Sequence, residues 1–361
     1  MIAIVEPRLV CPAAALVHVP PRRACELSVV IPVRDEEASL PRTLAALARQ
    51  RDTDGSPLSP DCYEIILLIN NSVDASAAVA RAFARAHPTL ALHVIEVHLP
   101  DDEAHVGRAR RMLMDAAAAR LASLGRQRGV IATTDADTIV APDWVAMTLG
   151  EVGAGADAVA GRILVDPSGF ALHDRHARAF HLRDVTYRYL VTELEARLDP
   201  DPFDSWPRHF QHFGASMAVT VDAYRRAGGI PPLPFLEDVA LYDALRRIAA
   251  RIRHSPAVRV ETSARPEGRT GFGFAVQLRQ WSDMGERHQP FLVESLPAIL
   301  ARISGRHGLR VAQPASCQPL VPIEMAISDL RRYLARLRSE SAKSISTLEQ
   351  VHPVRLLTAA D

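Results

Sequence analysis

Gly129-Val130-Ile131-Ala132-Thr133-Thr134-Asp135-Ala136-Asp137-Thr138 is the stretch whose reading decides the fold. A short apolar run rich in β-branched residues reads as a buried strand, and it stops at two carboxylates separated by one alanine. The acids therefore stand at a strand's carboxyl end. In an open α/β sheet that edge is where ligands bind, because helices cover both faces and leave a crevice there. Paired aspartates on such a turn suit a hard divalent cation, Mg²⁺ or Mn²⁺, which takes oxygen ligands and shares them with phosphates. A strand running into a solvated acidic turn would look the same, so the surrounding chain must separate the two readings.

Working outward, the segments before this stretch alternate strand and helix. Leu27 to Pro32 reads as a strand, and Ser39 stands where it can cap a helix carrying Leu40, Leu44 and Leu47 on one face. Tyr63 to Ile69 and Leu90 to Val97 are two further strands, separated by the Asn70-Asn71-Ser72-Val73-Asp74-Ala75-Ser76 turn and an Ala-rich helix to about Ala86. Gly107 to Leu124 is helical. Such alternation is what a parallel sheet requires, because parallel neighbours need crossover connections. After the stretch, Pro142-Asp143-Trp144 opens a helix in the proline-early position. Ala158 to Leu164 is a strand, Phe170 to Arg197 is mixed and mostly helical, and Phe213 to Val219 is a small-residue turn entering a strand. The helix after Phe235-Leu236-Glu237-Asp238 carries its carboxylates where the macrodipole favours them. Val258 to Thr262 is the last strand of this half.

His173, His176 and His181 are more simply a solvated helix than a metal site. Ser263 to Gly273, with Arg265 and Arg269, is a basic, glycine-rich loop without a dinucleotide fingerprint. Ile323 to Leu337 is an amphipathic helix flanked by Arg331, Arg332, Arg336 and Arg338, which read as a solvated face.

Composition bounds the rest. With 42 basic and 42 acidic residues in 361 the chain has no global field to gather nucleic acid. Lys343 is the sole lysine, so arginine is the default cation. Cys11, Cys25, Cys62 and Cys317 show no paired spacing and read as reduced thiols of a cytoplasmic protein. No run approaches the roughly 20 apolar residues of a membrane span, which leaves room for peripheral membrane contact. The expected organisation is a tail (1–26), a catalytic domain (27–290) divided at residue 140 into nucleotide and acceptor halves, and a helical extension (291–361).

Five motifs in order resemble those of the family 2 glycosyltransferases: Val29 to Glu37, Asn70 to Ser76, Gly107 to Arg111, Thr134-Asp135-Ala136-Asp137, and Leu236-Glu237-Asp238. The resemblance runs from about Leu27 to Trp281, and the ordered set is far more specific than any member. It implies a GT-A fold, that is, an α/β architecture with a Rossmann-like, mostly parallel sheet flanked by helices, here with a helical C-terminal appendage. It also implies a nucleotide-diphospho-sugar donor, a hydroxyl acceptor, and Mn²⁺ or Mg²⁺. By that resemblance Pro32, Arg34, Glu36, Asn70, Asn71 and Asp74 would hold base and ribose, although the family usually has Asp where Asn70 and Asn71 stand. Arg108 and Arg111 would lie near the diphosphate. Asp135, with Ala136, would touch the ribose or an outer-shell water, and Asp137 would bind the metal that offsets charge on the departing nucleotide. Asp238 is the candidate base, with Glu237 as neighbour or substitute. Arg265, Arg269 and Trp281 would form an acceptor or diphosphate loop, with the protein core as the other home for Trp281.

Gln277-Leu278-Arg279-Gln280-Trp281 is similar to the Gln-x-x-Arg-Trp pattern of processive synthases but has Gln280 for the arginine, which points to transfer of a single sugar. The rival readings are a sugar nucleotidyltransferase, which would want a glycine-rich phosphate loop after the first strand, and a non-catalytic nucleotide-sugar-binding scaffold.

Overall fold

The computed structural model describes residues 16–166, 174–264, 273–306 and 319–351, with side chains to residue 340. Two compact units divide the chain: residues 1–174 with 202–279, and residues 175–201 with 280–361. The division differs from the expected boundary at 290, because the long helix Arg175–Leu198, expected in the acceptor half, groups with the C-terminal region.

In the first unit an eight-stranded sheet runs in the order β3-β2-β1-β4-β7-β6-β8-β5. Its strands are β1 (Leu27–Val33), β2 (Tyr63–Asn70), β3 (Leu92–Val97), β4 (Val130–Thr133), β5 (Thr138–Val140), β6 (Ala158–Val165), β7 (Met217–Thr220) and β8 (Ile252–Thr262). β1, β2, β3 and β4 are parallel, as the alternation predicts. β7 enters antiparallel between β4 and β6, and β6 pairs β8 in parallel.

The first strands are buried on both faces. On β1, Val29 and Ile31 pack with Leu40, Leu44 and Leu47 of helix α1 (Leu40–Leu47), while Val30 faces Leu113, Ala117 and Leu121 of helix α3 (Val106–Ser123). This two-sided burial is why the strands read as continuous apolar runs rather than alternating ones. Helix α2 (Ser76–Ala86) links β2 to β3, and helix α4 (Trp144–Gly153) links β5 to β6.

Several local expectations are corrected. Ser39 precedes α1 but makes no side-chain capping bond; proline in the first turn and the buried leucines fix that helix instead. Pro142 lies two residues before α4 rather than within it. β5, three residues directly after the acidic turn, has no counterpart among the expected strands. β8 starts six residues before Val258; Pro256 suggests a break, but a register shift at Gly161/Arg162 lets the pairing continue past it. The described part of the expected N-terminal tail is tied down, with Arg120 donating to Val19 O at 2.6 Å and Arg22 pairing with Asp61. Cys25 and Cys62 are free thiols, pushed up to about 12 and about 11, chiefly by burial.

The second unit is helical. Helix α5 (Arg175–Leu198), helix α9 (Leu296–Arg306) and helix α10 (Ile323–Val351) share a core of Leu194, Ile299, Ile303, Leu330 and Leu334. A small antiparallel pair, β9 (Leu292–Glu294) with β10 (Leu320–Pro322), closes one end through Val293 and Val321. Arg338 is exposed, as expected of a solvated face, and also forms an ion pair with the buried carboxylate of Glu193. Between α5 and α9 in sequence lie α6 (Val221–Arg226), α7 (Glu237–Arg247) and α8 (Phe274–Glu286).

Candidate active site

β1 and β4 are neighbours at the point where the strand order reverses, so their carboxyl-end loops flank one crevice. The loop after β1 is laced to the loop after β2. Asp35, at a left-handed φ of 52°, donates its N–H to Ser72 Oγ and accepts from Val73 N–H. Glu36 N–H donates to Ser76 Oγ, and Asp74 accepts from Glu37 N–H and Ser76 N–H. Asp74 thus ties the two loops together. Asn71 spends its amide on both backbone groups of Leu99, at 2.8 and 3.0 Å, extending the β2–β3 ladder by side chain. Asn70 and Glu36 are buried beside it, Pro32 is half-buried within β1, and Arg34 donates outward to Ala104 O.

The register of α3 selects which arginine enters the crevice. Arg110 is in phase with Leu113, Met114, Ala117 and Leu121, the buried stripe of the helix, and is itself buried. Its guanidinium donates through Nη2 to Asp135 Oδ1 at 2.6 Å and through Nη1 to Glu237 Oε1. Arg108 pairs instead with Glu103, and Arg111 with Asp115 and the carbonyls of Gly228 and Ile230. The expected diphosphate arginines therefore flank the crevice, while Arg110 between them stands in it. Sequence periodicity held that signal: an arginine on an apolar helical stripe.

The acids outnumber this cation. Burial works against charge on Arg110, yet Glu237, Asp135 and Asp238 outweigh it and hold the guanidinium protonated above its ordinary range. Asp135 is pushed above the carboxylate range by burial, and Arg110's opposing pull is blunted by Asp238 and Glu36. Glu237 is raised in the same way, by burial first, with Asp238 and Asp135 adding repulsion. Desolvation combined with like charge is a pattern that recurs at functional sites, where it tunes acids and bases.

Asp238 is half-buried; its Oδ2 accepts from Gly214 N–H at 2.6 Å and its Oδ1 from Val239 N–H at 2.8 Å. Gly214 leaves room for the guanidinium, because a Cβ there would lie 2.4 Å from Arg110 Nη1. Leu236, at a left-handed φ of 57°, makes the turn that sends Glu237 inward at the start of α7. Beside these, His212 stacks on Tyr242 at 3.9 Å between ring centres, and His254 is held by Asp204 at 2.8 Å. This histidine cluster, with its partners from separate loops, left no sequence signal.

Asp137 lines a pocket of about 110 Å³ together with Arg42, Thr43, Asp166 and Glu261. Ala136 between the aspartates is buried, its carbonyl accepting from Thr43 Oγ1. Among the described residues no group of three or more His, Cys, Asp or Glu side chains could hold a metal. A cation here would need oxygen atoms from a ligand. Trp281 is a core side chain of the second unit, 5 % exposed against His181 and Phe291. Arg265 and Arg269, like His173, lie outside the described residues.

A family model described as "Glycosyl transferase family 2" matches residues 28–217, more than half of the chain. The chain belongs to that family. This glycosyltransferase therefore has the mixed α/β fold, with helices on both faces of the sheet, that the motif order implied. No curated protein matches it. Among solved structures it is similar to the mannosyltransferase PcManGT from Pyrobaculum calidifontis in complex with GDP-Man and Mn²⁺, at 16 % identity and a TM-score of 0.46, covering 94 % of this chain and 82 % of that one. S. aureus TarS 1-349 in complex with UDP-GlcNAc matches at 14 % identity and 0.47, covering 78 % of this chain and 72 % of the other. Glucosyl-3-phosphoglycerate synthase from Mycobacterium tuberculosis, in complex with Mn²⁺, UDP-Glc and PGA, matches at 18 % and 0.39, covering 75 % and 83 %. No described helix of the glycosyltransferase is long and apolar enough to cross a membrane.

Proposed function

We propose that this glycosyltransferase moves one sugar, with inversion, from a nucleotide-diphospho-sugar to a hydroxyl acceptor, with Mn²⁺ or Mg²⁺ as cofactor. The observation that carries the reading is the excess of carboxylate over guanidinium where the Asp135 and Glu237-Asp238 loops meet around Arg110. A site left short of positive charge is suited to a metal-bound diphosphate. Asp137 would hold the cation together with donor phosphate oxygens, the usual way Mg²⁺ sites are completed when protein carboxylates are few. When bound, it would offset the charge on the departing nucleoside diphosphate.

The acceptor hydroxyl attacks the anomeric carbon, the bond from that carbon to the diphosphate oxygen breaks, and the hydroxyl proton passes to Asp238. Each Asp238 oxygen is held by a backbone N–H, so the carboxylate is oriented before the acceptor arrives. Glu237 acts through Arg110 as a positioning residue. Pro32, Arg34, Glu36 and Asn70 form the floor for base and ribose, whereas Asn71 and Asp74 act by fixing the loops. Single transfer is supported by Gln280 standing where the processive pattern has arginine. The nucleotidyltransferase and scaffold alternatives lose their ground with membership of the family.

Thermal shifts across nucleoside diphosphates and their sugars, with and without Mn²⁺, identify the donor, since ligands of the native state raise its apparent stability. With that donor, Asp238→Asn is expected to keep nucleotide binding and lose transfer by about 10²–10⁴-fold. Undiminished turnover in that variant removes Asp238 from the chemistry.

A further inference from the structure

The loop that delivers the base is Pro231-Pro232-Leu233-Pro234-Phe235-Leu236, six residues without a polar side chain. Residues 232–236 are exposed in succession, with Leu233, Phe235 and Leu236 each more than two-fifths open to solvent. Three prolines supply no N–H, and the N–H of Leu233 is spent on Pro231 O at 2.8 Å. Phe213, 38 % exposed, immediately precedes the Gly214 N–H that holds Asp238, the second residue after this loop. Consecutive exposed apolar residues are unfavourable on a free surface and ordinarily mark a contact with something apolar.

This loop is rigidly placed. Gly107 of α3 lies so close to it that a Cβ there would come within 1.8 Å of Leu233 O. Arg111 holds the carbonyls of Gly228 and Ile230 just upstream. Leu236 accepts a left-handed backbone that leucine ordinarily avoids, and the outcome is an outward leucine directly beside an inward Glu237. The same six positions filled with Asn, Ser or Gly would make the turn with less strain and better solvation.

From these observations we infer that the acceptor presents an apolar body, aliphatic or aromatic, beside the hydroxyl that is glycosylated, and that Phe213, Leu233, Phe235 and Leu236 form the wall it lies against. The inference rests on the reading of Asp238 as the group that meets the acceptor. A bare polyol would find few donors or acceptors along this wall to replace its hydration.

Hexyl and methyl β-D-glucopyranoside, used below the micellar range, differ only in apolar length. Their affinities for the full chain are measured by saturation-transfer NMR titration. The hexyl glycoside is expected to bind on the order of tenfold more tightly, about the yield of burying two methylenes. Phe235→Ser with Leu236→Asn should reduce that ratio below about threefold while leaving the methyl affinity in place, since asparagine tolerates the left-handed turn. Leu233→Ser, which spares that turn, should act in the same direction. Equal affinities in the wild type, or a preference that survives all three substitutions, would overturn the proposal. Turnover with the identified donor supplies the second arm: kcat/KM should favour the hexyl glycoside by a similar factor, and equality would again overturn it. A chain with no nucleotide-dependent turnover would break the donor reading instead, and the binding ratio would still decide the wall.

Discussion

Two buried arginines on the same helix show opposite uses of one chemistry. Arg120, near the end of α3, meets a single carboxylate, Glu64, through Nε at 2.9 Å and Nη2 at 2.6 Å, while its Nη1 donates to Val19 O. Ser28 Oγ completes the shell of Glu64 at 2.8 Å. Ten residues earlier Arg110 is shared between Asp135 and Glu237, lies in the field of Asp238, and keeps a buried Nε without a partner among the described residues. At Glu64 burial alone would raise the pKa, but His93, Arg120 and Ser28 win and hold it down at about 2. At Asp135 and Glu237 burial wins and the carboxyls are raised. A one-to-one, fully satisfied pair stabilises the fold. A pair with surplus acid leaves charge for a ligand to neutralise.

The two arginines should respond differently to the same substitution. Arg120→Met strands Glu64 in the interior and should cost about 3–5 kcal/mol of unfolding free energy, read from denaturant midpoints. Arg110→Met should cost less, because Asp135 keeps 37 % of its side chain open to solvent, yet it should abolish transfer. Equal stability losses, or an active Arg110→Met, would erase the distinction.

Acid titration sharpens it further. Glu64 has its folded pKa below its unfolded value, so its contribution is present above about pH 4.5 and is lost as the pH falls toward about 2. That difference of roughly 2.5 units corresponds to about 3 kcal/mol, and Glu64→Gln should flatten the acid limb of the stability curve. Asp135 and Glu237, being raised, act with the opposite sign: their protonation favours the folded state, so they do not add to acid unfolding. The smallest effect is expected at Gly214→Ala. The new methyl must displace the Arg110 guanidinium, so overpacking of about 1–3 kcal/mol should appear together with weakened transfer. A fully active variant would show that Arg110 need not stand where it does.

How much of this was legible beforehand follows from how local each signal is. β1, β2 and β4 were readable because burial on both faces makes each an unbroken apolar run ending at a polar turn. β5, β9 and β10, three residues each, gain their hydrogen bonds only from partners far along the chain, and nothing local marks them. At the site, Asp135 and the Glu237-Asp238 pair are visible as motif members, while the burial of Arg110 is written only in the phase of its helix. That Asn71 and Asp74 also fix the loops was not legible, because an amide and a carboxylate look the same in sequence whether or not they bond to backbone.

The sequence by itself determined the parallel half of the sheet, the order of the acidic loops and the family, since all three are written in runs of neighbouring residues. Only the tertiary structure decided which cation those acids share, that α5 groups with the C-terminal helices, and that an all-apolar loop stands exposed beside Asp238. Those outcomes depend on side chains more than 100 residues apart meeting in a low-dielectric crevice, such as Arg110 and Glu237 at a separation of 127, and local propensity carries no record of such meetings.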